Sequence, residues 1–180
     1  MPERQTSRSV LNPENKIISS AEAGELSRSL KTEGNKIVFT NGCFDLIHAG
    51  HATYLLAARK LGDSLFVGMN SDSSVKRIKG ERRPIVPEKE RAIVLASFGF
   101  VDHVILFNED TPFELIKIIE PDLLVKGEDW SVEDIVGGDL VIRLGGEVKA
   151  VPLVKGLSSS RMIERIIECY SSLDGPPDEG

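Results

Sequence analysis

The stretch Phe39–His51, FTNGCFDLIHAGH, governs how the rest of the chain is read. It runs from the end of an apolar strand, KIVFT, through a glycine turn into the start of a helix, HATYLLAARKLG. A strand giving way to a helix across a glycine opens a βαβ unit, and the helix N-terminus offers free N–H groups and a positive field to an anion. His48 and His51 stand three residues apart at that start. They share one face, with Cβ atoms roughly 5 to 6 Å apart, and reach one ligand together. Gly50 leaves out a side chain beside them and lets a phosphate approach the backbone. Two imidazole donors in such a field suit a phosphoryl group that gains charge in a transition state.

Two other readings compete for this pair. Zinc proteases use histidines four apart with an adjacent glutamate, which this stretch lacks, and His103 falls at a strand start away from the pair. No protein metal ligand is therefore assigned. An isolated pair also suits two incidental surface histidines, but three further loops carry residues fit for phosphate.

Outward from this stretch the pattern alternates: strand SLFVGM, a charged loop, helix PEKERAIVLASF, strand HVILF, helix TPFELIKIIE, strand DLLVKG. A helix near 138 to 144, strand EVKAV and a last helix, SSSRMIERIIECY, complete it. Short apolar strands separated by helices predict an α/β class, a Rossmann-like three-layer domain with a five-stranded parallel sheet. In such sheets ligands collect beyond the strand carboxyl ends. TNGCFDLIHAGH, NSDSSVKRIKGERRP, KGEDW and PLVKGLSSSR all follow strands and converge there.

Residues 1–15 read as a disordered N-terminal tail, 16–35 as an N-terminal amphipathic helix, 36–172 as the single α/β domain that carries the loops above and 173–180 as a flexible C-terminal tail. In SSAEAGELSRSLKTEG, Ser19 or Ser20 caps the helix, Ala23, Leu26 and Leu30 form its apolar face, and Gly34 stops it.

The 180 residues suffice for one core, and the net charge of −6 gives no basic face for nucleic acid. Cys43 and Cys169 are too few for a disulfide framework, and no apolar run approaches the ~18 residues of a membrane span. A cytoplasmic protein without nucleic-acid or membrane partners is expected.

FTNGCFDLIHAGH resembles the HxGH region of the nucleotidyltransferase superfamily that includes cytidylyltransferases and pantetheine-phosphate adenylyltransferase. LSSSR, about 110 residues later, resembles the second motif of that superfamily. With VGMNSD, RPIVPEKER and LLVKGEDW, the run from 36 to 168 is most similar to D-glycero-β-D-manno-heptose 1-phosphate adenylyltransferases. The resemblance covers about three quarters of the chain.

It implies that His48 and His51 contact nucleotide phosphates and stabilise the pentavalent α-phosphorus. Thr40, Asn41, Gly42, Cys43 and Phe44 would line the nucleotide cleft with Gly50. Asp45 would hold the loop, face the acceptor or simply cap the helix. Ser158, Ser159 and Ser160, before the last helix, form a phosphate cradle, although one of them is expected as an ordinary N-cap. Arg161 in the first turn goes against the macrodipole unless an anion is near. In VKRIKGERRP, the superfamily's transition-state lysine is assigned to Lys79, with Lys76 second and placed on the acceptor side, although charge runs are usually solvated loops. Arg91 matches a family arginine facing the nucleotide; an ion pair with Glu88 or Glu90 is its plainer explanation. Lys126, Gly127, Asp129 and Trp130 would form the base or ribose wall, and the tryptophan alone would also suit a core. Cys43 reads as a small packed residue.

The implied reaction is attack of a sugar 1-phosphate oxygen on the α-phosphorus of ATP, giving ADP-heptose and pyrophosphate, with Mg²⁺ bridging the triphosphate. A separate sugar kinase would act upstream, fused to this domain in some family members and not present in this chain; a homo-oligomer is compatible. Two departures lean away from glycerol phosphate and CTP. Leu153, Val154 and Lys155 replace the arginine-threonine-glutamate of that type, and Gly99 replaces its acceptor arginine. A cytidylyltransferase for a polyol phosphate and a non-catalytic nucleotide-binding partner of a sugar kinase are the alternatives, the second opposed by the intact motifs.

Overall fold

The computed structural model describes residues 12–128, 135–154 and 156–171. Its strands are β1 Ile17–Ile18, β2 Ile37–Gly42, β3 Ser64–Asn70, β4 His103–Phe107, β5 Leu123–Gly127 and β6 Glu147–Val151. The helices are α1 Ser20–Thr32, α2 Ala49–Arg59, α3 Asp72–Lys79, α4 Glu88–Ser97, α5 Phe113–Ile119, α6 Gly138–Arg143 and α7 Ser159–Tyr170.

One parallel sheet runs in the order β1-β4-β3-β2-β5-β6. Across β2, β3, β4 and β5 both faces are largely covered, as their near-continuous apolar runs require. Val38, Leu65, Val67, Val104 and Val125 pack on one face with Leu55 and Ala58 of α2 and Leu95 of α4. Ile37, Phe39, Phe66, Ile105 and Leu124 pack on the other with Ala23 of α1, Ile116 of α5 and Val141 of α6. The three-layer α/β expectation holds.

Among the described residues the sheet has six strands rather than the expected five. Two residues, Ile17 and Ile18, pair with Val104 and Ile105 at the sheet edge, too short a run to show alternation. Residues 12–15, expected within the N-terminal tail, have defined structure. Pro13–Lys16 form a turn of 3₁₀ helix capped by Asn12, and Lys16 donates to the carbonyls of Phe98 (3.1 Å) and Val101 (2.8 Å). Residues 1–11 and 172–180 lie outside the described residues. Ser19 caps α1, closing a capping box with Glu22.

The expected charged loop after β3 is largely helix. Ser71 caps α3 by accepting from the Ser74 amide, and Ser74 and Val75 are buried. The density of charge hid a helix whose inward face is one valine and one serine. At the other end, α7 begins at Ser159 with Ser158 as its cap, so Ser159 and Ser160 lie within its first turn.

Candidate active site

Strand order reverses at β2, which has β3 on one side and β5 on the other. The β2–β3 ladder runs through six residue pairs to Gly42 and Met69, whereas β2 and β5 pair only at Val38–Leu123 and Phe39–Leu124. Beyond those pairs the two strands part. Their carboxyl ends, with α2 and the β6–α7 loop, enclose a cleft of about 230 Å³. This is the topological switch point at which open α/β sheets bind ligands.

His48 is the residue before α2 and His51 lies within its first turn. Both line the cleft, with ring centroids 3.9 Å apart and planes 26° from parallel. The Phe44 ring stands 5.4 Å from His51. The His48 backbone N–H donates to His51 Nδ1 (3.4 Å), so a neutral His51 carries its hydrogen on Nε2. His48 Nδ1 is buried with no hydrogen-bond partner among the described residues. Burial, and then the neighbouring His48, push the His51 pKa down to about 4, and burial also lowers that of His48. At neutral pH the pair is two uncharged rings.

Gly50 is dictated by sterics. A Cβ there would come within 2.9 Å of the His48 ring and 3.3 Å of Leu157 Cβ. The glycine lets the histidine ring fold over the helix start, and it brings the β6–α7 loop against it.

Asn41, Gly42, Cys43 and Phe44 line the cleft. Thr40 does not: it is fully buried, 2.6 Å from the Tyr54 hydroxyl, which itself donates to the Val125 carbonyl (3.1 Å). Strand alternation turns its side chain toward α2. Phe44 has a left-handed backbone (φ 46°), unusual for a bulky residue. Burial pushes the Cys43 thiol up, against the opposing charges of Lys79, Arg91 and Arg83. It is a poor nucleophile.

Asp45 is 2% exposed, and its carboxylate accepts from Arg83 Nε (2.6 Å) and from the amides of Ile85 (2.9 Å) and Val86 (2.9 Å). Of the roles considered, this is the loop-holding one; a carboxylate so enclosed does not face an acceptor. Burial works to raise its pKa, but the Val86 and Ile85 amides and Arg83 outweigh that and hold it below the usual range.

Arg91 is corrected. It is fully buried, with Nε on the Val86 carbonyl (2.9 Å), Nη1 on the carbonyls of Cys43 and Asn70, and Nη2 on Asp72 (2.7 Å). It neither faces the cleft nor pairs with Glu88 or Glu90; it ties the ends of β2 and β3 to α3. Lys76 and Lys79 are exposed on α3, outside the cleft lining; Lys79 is the one whose charge acts on cleft-lining Cys43.

Lys126 and Gly127 line the cleft from β5, and Lys126 Nζ lies 3.4 Å from the Asn41 carbonyl, bridging the gap between the parted strands. Asp129 and Trp130 lie outside the described residues. Ser158 caps α7 through the Arg161 amide (3.2 Å), while the Ser159 hydroxyl donates to the Leu46 carbonyl (3.3 Å), holding α7 against the histidine loop. Ser160 is exposed, and Arg161 turns back to the Gly156 carbonyl (3.4 Å).

Four lining residues escaped the sequence reading of the site: Tyr54, Leu153, Val154 and Leu157. Tyr54 was within reach, one turn after His51 on the same helix. The aliphatic residues carry no chemical signature, but their loop follows the last strand. Leu153 and Val154 stand at two of the positions where the glycerol-phosphate type would have an arginine and a threonine.

The sequence profile of the cytidylyltransferase-like family matches residues 39–167, which takes in both motif regions and all of these walls. Bifunctional protein HldE of Citrifermentans bemidjiense is 51% identical over 154 residues, 86% of this chain and 31% of that protein. HldE of Pelobacter propionicus is 53% identical over 141 residues, 78% of this chain and 29% of that protein. The chain thus spans about a third of the length of these relatives. A crystal structure described as the lipopolysaccharide core biosynthesis protein from Thermoplasma volcanium GSS1 matches with a TM-score of 0.56 and 32% identity, over 68% of this chain and 98% of that one. A matched region that contains the switch-point cleft, its histidine pair and the capped α7 start leaves one assignment: the chain belongs to the cytidylyltransferase-like family.

Proposed function

We propose that the domain transfers AMP from ATP to a sugar 1-phosphate, heptose 1-phosphate, giving ADP-heptose and pyrophosphate for lipopolysaccharide core precursors. The observation that carries this reading is the stacked His48–His51 pair over Gly50, at the α2 start in the switch-point cleft. About half-identity to HldE proteins and likeness to a lipopolysaccharide core biosynthesis protein support the acceptor class.

In this reaction a phosphate oxygen of the sugar phosphate attacks the α-phosphorus, and the bond from that phosphorus to the oxygen bridging to the β-phosphorus breaks. The bridging oxygen leaves with pyrophosphate. The nucleophile is already ionised, so no general base is needed, and the work left to the protein is alignment and charge stabilisation. The imidazole N–H groups of the histidines are neutral donors to the α-phosphate oxygens, with Lys126 and Lys79 supplying positive charge. None of the described lining residues is a carboxylate, so ATP would arrive as its Mg²⁺ complex, the metal held by phosphates and water. Leu153, Val154 and Leu157 give the nucleoside an aliphatic wall. A kinase acting on the sugar would supply the acceptor, in the cytoplasm where ATP is available; no helix among the described residues is long and apolar enough to cross a membrane.

Labelled ATP tests the reaction. Label on the α-phosphorus is expected in the sugar product, with pyrophosphate released and a higher kcat/KM for ATP than for CTP. Label from the γ-phosphorus in the sugar would make it a kinase, and a preference for CTP would move the assignment to a cytidylyltransferase.

A further inference from the structure

Two partly buried ionic clusters, Asp45–Arg83 and Asp72–Arg91, bind the segment that follows Lys79 to the loop that precedes His48. Lys79 ends α3, and the chain leaves it through Gly80 in the left-handed region (φ 93°). Within six residues it returns to the protein body: Arg83, Ile85 and Val86 all donate to the Asp45 carboxylate. Asp45 stands three residues before His48 in the sequence. On the other side of the same turn the Val86 carbonyl accepts from Arg91, whose remaining bonds reach Cys43, Asn70 and Asp72 at the start of α3. Both ends of the lysine-bearing helix are therefore referred to residues 43–45.

A lysine on an exposed helix end has a long stem with several rotors, so its ammonium is placed only as well as its backbone is held. A displacement of about 1 Å is enough to cost a large part of a positioned group's effect. The clamp provides that hold from a carboxylate that is itself 2% exposed. Its three donors come from one short segment. Lys79, rather than Lys76, is the α3 lysine whose charge opposes the effect of burial on the cleft-lining Cys43 thiol.

We propose that Asp45 is a positioning residue: by clamping residues 83–86 to the histidine-bearing loop, it holds Lys79 in register with His48 and His51. Asp45 touches no reacting atom and acts through Lys79. This rests on the adenylyl-transfer reading given above, in which Lys79 meets the reacting phosphates.

The test is a set of double-mutant cycles on the full chain, read as pyrophosphate release from ATP and heptose 1-phosphate. Asp45→Asn is expected to lower kcat about tenfold and Arg83→Gln severalfold, with the KM for ATP changed less than twofold. Lys79→Ala should lower kcat at least as much. In the Lys79→Ala background neither clamp substitution should cause a further loss, because the group they position is gone. A purely structural role predicts the opposite, losses that multiply in full or that follow the folded fraction. Such multiplication, a wild-type kcat in folded Asp45→Asn or Arg83→Gln, or no effect of Lys79→Ala overturns the inference. If Asp45→Asn does not fold, Arg83→Gln decides by the same criteria, since it keeps both backbone bonds to Asp45. Failure of the reaction assignment looks different: the unmutated chain would then release no pyrophosphate from this substrate pair.

Discussion

His48 and His51 stack with ring centroids 3.9 Å apart, so on the proposed adenylyl-transfer reading they are expected to act as one unit. Replacing either by alanine is expected to lower kcat by about 10² to 10³, or roughly 2.7 to 4 kcal/mol of transition-state stabilisation, the scale for one oxyanion donor. The double variant should fall short of the product of the two losses. Steady-state kinetics beside a thermal melt separate this from unfolding, since histidines that merely pack would lose stability and keep turnover per folded molecule. Gly50→Ala makes a finer cut. The added methyl meets the His48 ring and Leu157, so kcat should drop by at least tenfold through displacement of that ring. The melting temperature should change little, because alanine is a better helix former than glycine. Asp45 and Arg91 show how residue type misleads at this scale: an acid and a base near a phosphate site suggest ligands, and both are consumed in holding the chain.

Among the elements, α1 shows what an amphipathic reading captures and what it leaves out. Ala23, Leu26 and Leu30 were expected on its inner face, and Ala23 is fully buried while Leu26 and Leu30 are partly so. The tightest approach is made by the small residues between them. A Cβ on Gly24 would lie 2.8 Å from Ile118 Cγ2, and the buried Ser27 hydroxyl donates to the Ile119 carbonyl (2.7 Å), fastening α1 to the end of α5. Ser27→Ala leaves that carbonyl without its partner in a buried place, so urea denaturation should show a loss of about 1 to 3 kcal/mol. Activity per folded molecule should be unchanged, because α1 and α5 lie away from the cleft. The helix at 72–79 escaped a pattern-based reading for a related reason. Its inward face is so small that Ser74 and Val75, rather than an apolar stripe, seat it on the sheet.

For the whole molecule the histidines link function to acid stability. In the unfolded chain His51 titrates near its ordinary 6.5, and in the fold its pKa is about 4. Protons then bind the unfolded state in preference, so this stability is fully present above about pH 6.5 and lost as pH falls toward about 4. His48 and His103 are shifted the same way by burial. Urea midpoints measured between about pH 6 and pH 4.5 should fall with acid. His51→Gln should remove about one proton from that slope, or ~1.4 kcal/mol per pH unit; an unaltered slope would show that His51 is not buried in its neutral form.

The alternation of covered strands with helices was legible because a strand covered on both faces is apolar at most of its positions, and that constraint is local. So was the histidine pair, since spacing on one helix fixes which side chains share a face. Sequence alone could also point to the strand carboxyl ends as the ligand side, because parallel order puts every strand-to-helix loop there. What only the tertiary structure decided concerns groups far apart in the chain. The parting of β2 from β5 beyond Phe39 and Leu124 opens the cleft, and strand register is a property of two segments at once. Burial of Thr40 beneath Tyr54 and of Arg91 among three carbonyls and Asp72 likewise depends on where distant backbone comes to rest. A polar side chain in the sequence carries no mark of whether its partner will be a ligand or the chain itself; in the fold the hydrogen bonds of Asp45 and Arg91 are filled by the chain, whereas His48 Nδ1 has no partner among the described residues.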